Sequence, residues 1–314
     1  MTEGRVLVAG EALVDLIPRG ETGAAYEAAL GGSPLNVAVG VARMGVPTRF
    51  LGRLSRDANG ERFEAALARD GVDLALTARD PRPSPLAFVM RGSEKTGARY
   101  SFYLDATAYD GGLDLPDDWT AGAIHLHAGS IAAIHGAQGA ATLEAMRAAR
   151  GALSVGYDPN VRPMVTPDRD AARAAIEARI RAADFLKASD EDLEWLYPGR
   201  APDESLAELA KAGPKLCVLT RGGKGALGIA GGARTEVAAP AVEVADTVGA
   251  GDSFMAALTA AMHADGALGP AFAAPDPATL RRWMSFAARA AAITCSRRGA
   301  DPPTRAEVEA ALRT

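Results

Sequence analysis

Short apolar, strand-like runs alternate along the chain with Ala-rich stretches in which apolar residues recur at helical spacing. Strands are expected at Arg5 to Ala9, Arg49 to Leu54, Ala123 to Ala128, Leu153 to Asp158, Phe185 to Ala188 and Leu216 to Thr220. Helices are expected over Asn36 to Met44, closed by Gly45-Val46-Pro47, and over Gly60 to Asp70, ended at Gly71. This alternation predicts an α/β fold with a parallel sheet and helices on both faces. Loops at the carboxyl ends of such strands gather ligands. Asp158-Pro159-Asn160, Lys187 to Asp190 and Thr220-Arg221-Gly222 stand there.

Two segments break the pattern. Ala12 to Leu30 and Pro85 to Asp105 read as hairpin-like strands, with alternation as in AFVMRG and ARYSFYLD. They predict a small sheet outside the main one, with its strands inside 11–32 and 84–108, able to cover a ligand as a lid and exclude water. With these strands inside it, 1–314 reads as a single domain that carries the small sheet. Its exposed edges and apolar outer face invite a second copy, so a homodimer through the lid is an expectation.

Composition narrows the function. The chain has 314 residues, near half of them apolar, and a net charge of −5 with no dense Lys/Arg tract, which argues against nucleic-acid and anionic-membrane surfaces. Cys217 and Cys295 have no metal-like spacing and read as reduced and packed. The start, MTEGRVLVAGEALVDL, lacks the pattern of a signal peptide, and no apolar run is long enough to span a bilayer. A cytoplasmic protein is expected. His125-Leu126-His127 puts two imidazoles on one strand face without a third ligand nearby, so a structural role is the expectation.

The chemistry concentrates at DTVGAGDSF, Asp246 to Phe254. A helix N-terminus exposes unpaired N–H groups and partial positive charge. Glycines there let a phosphate approach the backbone. Gly249-Ala250-Gly251 would make such an anion hole. Asp252 behind it would accept a proton from an attacking hydroxyl, which is what in-line phosphoryl transfer needs. On Gly249 to Asp252 alone the plainer reading is preferred, a tight turn with Asp252 as helix N-cap.

Wider context reverses that preference. DTVGAGDSF resembles the C-terminal signature of the ribokinase-like carbohydrate kinases, and GGSPLNVAVGVARMG, Gly31 to Gly45, resembles their N-terminal one. LGRLSRDANGERF, GEALVDL, DPNVRP and SRRGADPPTRAEV extend the likeness over nearly the whole chain. The resemblance implies a three-layer α/β/α fold with a mostly parallel central sheet and a small β-sheet lid. It implies Asp252 as catalytic base beside a Gly249-Ala250-Gly251 anion hole, and sugar contacts from Gly31, Gly32, Asn36, Asp15, Tyr103 and Arg162. Lys187, Ser189, Thr220, Arg221, Gly222 and Gly225 would face ATP, with Gly249 and Gly251. Where many relatives carry an Asn and a Glu three residues apart, this chain has Ser189 and Asp192, and Asp192 would hold Mg²⁺ through water. Asp246, Val248, Arg297 and Gly299 match positions that supply oxygens to a monovalent cation such as K⁺.

The sugar is read from the second lid segment. A sugar acid favours an arginine clamp, and acid-sugar relatives tend to carry an Arg after the aromatic pair there. Here Phe102-Tyr103 is followed by Leu104 and Asp105. That segment, GGSPLNVA and the TCSRRGADPP tail are similar to fructokinases, which implies D-fructose phosphorylated at its 6-hydroxyl by ATP. A 2-keto-3-deoxygluconate kinase, or another sugar or nucleoside kinase of this type, is the alternative. A sensor that binds sugar without turnover belongs to a different class, against which the intact Asp252 argues. GEALVD after the first strand disfavours a dinucleotide oxidoreductase.

Overall fold

A computed structural model describes residues 4–20, 25–90 and 99–313. In chain order its first half runs β1 (Arg5–Ala9), β2 (Leu13–Arg19), β3 (Ala25–Gly31), α1 (Ser33–Arg43), β4 (Thr48–Ser55), α2 (Ala58–Arg69), β5 (Thr77–Asp80), β6 (Leu86–Met90), β7 (Arg99–Tyr103), β8 (Ala123–Gly129), α3 (Gly136–Ala149) and β9 (Ser154–Asp158). The second half runs α4 (Arg169–Ile180), β10 (Phe185–Ser189), α5 (Asp190–Leu196), α6 (Pro202–Leu209), β11 (Leu216–Thr220), β12 (Ala226–Ala230), β13 (Ala233–Val237), α7 (Ala250–Ala264), α8 (Pro277–Cys295) and α9 (Arg305–Leu312).

The main sheet has the order β13-β12-β11-β10-β9-β8-β1-β4-β5. It is parallel from β11 to β5, and β12 and β13 close one edge antiparallel. Alternation along β1 explains its two cores. Val6 and Val8 enter the layer shared with α1, α7 and α8, while Leu7 and Ala9 enter the opposite one. The main sheet and its two helical layers form the expected α/β architecture. Helix starts follow local chemistry. Asp168 caps α4 by accepting from Asp170 and Ala171 amides, and Thr304 forms a capping box with Glu307 at α9.

The two interrupting segments do form a sheet of their own, β3-β2-β6-β7. Residues 21–24 and 91–98 of those segments lie outside the described residues. Its inner face buries Leu13, Ala87 and Leu104 against Tyr109, Ile131 and Ala132. Its outer face carries an edge-to-face aromatic row in which Phe88 meets Tyr26 at 5.4 Å and Tyr103 at 5.5 Å.

Several boundaries differ from expectation. Helix α1 begins at Ser33 rather than Asn36, because Pro34 fits the first turn, where its missing N–H is harmless. Strands β5, β12 and β13 were not anticipated. β12 and β13 are joined by Gly231-Gly232, both at positive φ (55° and 81°), the backbone that a tight hairpin turn requires.

The expected structural role of the His125 ring has a visible form. The ring is fully buried, hydrogen-bonded to Ser154 Oγ at 2.9 Å and stacked on Phe185 at 5.2 Å. Phe185 also meets Phe272 at 5.7 Å, so it joins β10 to the chain before α8. Phe185→Ala should destabilise the fold by ~3–5 kcal/mol through the cavity it leaves. Chemical denaturation of the two proteins checks this, and a loss under ~1 kcal/mol would show that the site collapses to fill the gap.

Candidate active site

Two helix N-termini meet at the carboxyl edge of the main sheet. Helices α1 and α7 can pack closely because Gly40 lacks a side chain. A Cβ there would stand 2.6 Å from Ala256 Cβ. That closeness brings α1 to the first turn of α7. Ser33 Oγ donates to Asp252 Oδ1 at 2.7 Å, and Asn36 Nδ2 donates to Asp252 Oδ2 at 2.8 Å. Asp252 is 9 % exposed. It is not the helix N-cap. Gly249 is, at φ 76°, and Asp252 occupies the third helical position. Its side chain is thereby directed across to α1 rather than back onto its own first turn. Gly249 has no substitute, since a Cβ would lie 2.6 Å from Ala300 Cβ and the backbone is left-handed.

Sequence reasoning passed over Ser33. It stands three residues before Asn36, which on a helix places both on one face.

A second carboxylate is coupled to Asp252 by its charge. Asp15, on β2 of the small sheet, packs its Oδ2 where a Cβ on Gly31 would stand 2.1 Å away. Gly32, at φ 112°, leaves room for the Glu11 carbonyl, which a Cβ would meet at 2.4 Å. Burial pushes Asp15 up to about 6, Arg162 opposes that shift, and the Asp252 charge adds to it. Arg162 is therefore inside the same electrostatic neighbourhood. Its guanidinium donates to the carbonyls of Asn160 and Val161 and lies 6.0 Å from the Tyr100 ring centre. Tyr103, also expected at the sugar, lies apart from these groups. Alternation along β7 turns Tyr100 and Phe102 inward and leaves Tyr103 59 % exposed on the outer face.

Glu11 was also missed. It is 3 % exposed and accepts the Ala132 amide at 3.1 Å. Its signal was a charged residue two positions past the end of an apolar strand.

On the other side of α7, the Lys187 ammonium donates to Asp158 Oδ2 at 2.7 Å, both groups buried. Ser189 and Asp192 form a capping box for α5. Asp192 Oδ1 also accepts the Val161 amide at 2.7 Å, clipping α5 to the loop after β9. Thr220 ends β11, and Gly222 and Gly225 adopt positive φ in the turn that follows. A Cβ on Gly225 would meet the Val237 carbonyl at 2.1 Å. The Arg221 side chain is engaged by Glu236 at 3.0 Å and Asp203 at 3.8 Å. Beside α7, Asp246 accepts from the Val248 amide at 3.1 Å and the Gly299 amide at 2.9 Å, tying those two loops together. The Arg297 side chain turns away to Asp301 and Glu307.

The arrangement offers a carboxylate held across a cleft, the N-terminus of a helix behind it, and a buried ammonium beside it. Comparison with known proteins gives the family. The model of the pfkB family of carbohydrate kinases matches residues 3–307. The chain belongs to the pfkB family of carbohydrate kinases. A fructokinase of Rhizobium leguminosarum bv. trifolii is 37% identical, with 84% of this chain and 81% of that protein covered. Fructokinase-2 of Oryza sativa subsp. japonica is 33% identical over 93% of this chain and 88% of its own. Among solved structures, a fructokinase with bound ATP from Xylella fastidiosa has a TM-score of 0.86 at 26% identity, covering 99% of this chain and 98% of that one. A double mutant of the Vibrio cholerae O395 fructokinase, bound to fructose, ADP and a potassium ion, has a TM-score of 0.82 at 28% identity, covering 98% of both. The protein is thus an ATP-dependent sugar kinase with the ribokinase-like fold. No helix among the described residues is long and apolar enough to cross a membrane.

Burial holds the Glu11 carboxyl up at about 7, against the hydrogen bonds from Ser130 and Ala132 and the Arg162 charge. An acid whose pKa is higher in the folded state than in the unfolded one binds more protons when folded. Its contribution to stability is present below the ordinary Glu range and is lost as pH rises through about 7. The expected size is roughly 3 kcal/mol. Glu11→Gln cannot ionise and should flatten that fall. Thermal midpoints of both proteins at about pH 5 and about pH 8 check it, the variant gaining on the wild type only at the higher pH. Asp15 and Asp158 are also raised, to about 6, and slope both curves alike. Parallel curves would place Glu11 in water.

Proposed function

We propose that this kinase is a fructokinase, transferring the γ-phosphoryl group of ATP to the 6-hydroxyl of D-fructose by direct in-line displacement. The observation that carries this reading is the Asp252 carboxylate, held by Ser33 and Asn36 at the N-terminus of α7. The fructokinase names of the relatives, and the fructose and ADP in the Vibrio cholerae structure, support the choice of sugar.

In this reading the acceptor hydroxyl binds against Asp252, and Asn36 and Asp15 hold its neighbours. Asp252 takes the hydroxyl proton as the oxygen attacks phosphorus. The bond to the β-phosphate oxygen breaks and ADP leaves. The Gly249-Ala250-Gly251 backbone faces the negative charge that spreads over the phosphoryl oxygens. Mg²⁺ keeps several waters and needs few protein ligands. Asp192, with lone pairs beyond those given to the Val161 and Ser189 amides, suits an outer position through water. Bound there, Mg²⁺ would neutralise phosphate charge. The joined loops around Asp246 and Gly299 suit a monovalent cation held by backbone oxygens. The small sheet acts as a lid over the sugar. Its outer aromatic row, with Tyr26 and Tyr103 exposed, suits a second copy of the chain. A cytoplasmic setting, where ATP and hexose meet, fits the reaction.

One observation favours a second reading. Arg162 shares the cleft with Asp15 and could clamp the carboxylate of 2-keto-3-deoxygluconate. Leu104 argues the other way, because it is 5 % exposed and packed in the core of the small sheet, where it offers no charge.

Two experiments decide. Asp252→Asn keeps the shape and the hydrogen-bonding reach but takes no proton. Its kcat should fall ~10²–10⁴-fold with sugar and ATP affinity changed much less. Turnover like the wild type in the folded variant removes Asp252 from the role of base. Steady-state assays at fixed ATP and Mg²⁺ over a panel of sugars should give a higher kcat/KM for fructose than for 2-keto-3-deoxygluconate. The opposite ranking makes the protein an acid-sugar kinase.

A further inference from the structure

Lys187 is an ammonium with almost no water around it. It is 4 % exposed, and Asp158, its ion-pair partner at 2.7 Å, is 1 % exposed. The pair spans the carboxyl ends of neighbouring strands β9 and β10. A Cβ built on Gly251 would stand 3.1 Å from Lys187 Nζ, so the ammonium lies against the second residue of α7. The titratable groups that face it come from four elements: the carboxylates of Asp158 from β9, Asp192 from α5 and Asp252 from α7, and the neutral His127 ring from β8. Burial works to strip its proton. The Asp158 charge and hydrogen bond, helped by Asp192 and Asp252, more than offset this and raise the ammonium above the ordinary lysine range.

Asp158 and Asp192 use their carboxylates differently. Both oxygens of Asp192 bind backbone amides, as in a structural clip. Asp158 spends Oδ2 on Lys187, while its buried Oδ1 has no partner among the described residues. A carboxylate that served only to tie loops would not leave a buried oxygen bare. We propose that Asp158 is a positioning residue for phosphoryl transfer, fixing the Lys187 ammonium against the first turn of α7 where the phosphates bind. The inference rests on the kinase site described above and names a residue that its reading of the sugar, the base and the nucleotide does not include. The ammonium is thereby a fixed cation, placed before ATP arrives.

The test compares wild type with Asp158→Asn, which keeps the shape and can still accept from Nζ but carries no charge. The variant should lose ~10²-fold in kcat, as expected when a catalytic group is misplaced by about an ångström. Its KM for ATP should stay level or fall, because the site becomes one charge more positive. Its kcat should also decline as pH rises through the alkaline assay range, since Lys187 keeps its burial and loses its partner's charge. The wild type should show no such decline. A double variant, Asp158→Asn with Lys187→Gln, leaves no buried charge unpaired and guards against a single variant that fails to fold. It should remain as slow as the single variant. Recovery of wild-type kcat by the double variant, or a single variant within about twofold of wild type at every pH, overturns the inference. A wild type that phosphorylates no sugar in the panel overturns the fructokinase reading, and this inference with it. An active wild type beside an unaffected Asp158→Asn overturns the inference alone.

Discussion

The contact between α1 and α7 is the constraint on which the site depends. Gly40 and Ala256 let the two helices approach, and the approach brings Ser33 and Asn36 to the Asp252 carboxylate. A helix N-terminus attracts anions, but a carboxylate beside it competes with the incoming phosphate. Two neutral donors from α1 resolve that conflict. They satisfy the carboxylate and turn it across toward α1, while the Ala250 amide, first in α7, is taken by the Thr247 carbonyl at 3.3 Å. The small side chains along both helices are therefore part of the chemistry, since a larger residue at Gly40 would part the donors from the acid.

Around this contact the protein buries an uncommon amount of charge. Glu11, Asp158 and Lys187 are each less than a tenth exposed, as is Asp252 itself. Burial raises both Glu11 and Asp158 and is opposed in each case by a specific cation, Arg162 or Lys187. Buried ions of this kind add little stability against an apolar replacement. Their gain is a fixed electrostatic field around the Asp252 carboxylate. The scaffold that carries the cost is apolar on both faces of the main sheet, with Val6 and Val8 on one side and Leu7 and Ala9 on the other.

Much of this architecture was legible along the chain because its signals are local. Val6 to Ala9, Val155 to Tyr157 and Leu216 to Leu219 are continuous runs without a charged residue, as strands buried on both faces must be. The alternation in AFVMRG and ARYSFYLD marks a sheet with unlike faces, and β2, β3, β6 and β7 are that sheet. β5, with the sequence TARD, carries no such signal and exists because the β4 edge pairs with it. The Gly231-Gly232 turn between β12 and β13 was readable in principle, being a glycine pair between two short strands.

The sequence by itself determined the α/β class, the position of the small sheet and the membership of Asp252, Gly249 and Gly251 in one helix start, because periodicity, glycine placement and signature order are properties of neighbouring residues. Only the tertiary structure decided what those residues touch. Ser33 and Asp252 are 219 positions apart, and Lys187 and Asp158 are 29 apart, and no local pattern links either pair. It also decided that Tyr100, not Tyr103, faces Arg162. The pleat fixes which residues share a face, but which face meets the core depends on what the sheet packs against. Burial, likewise, is set by the whole fold, so the raised carboxyls of Glu11 and Asp15 and the buried ammonium of Lys187 follow from packing that no single segment contains.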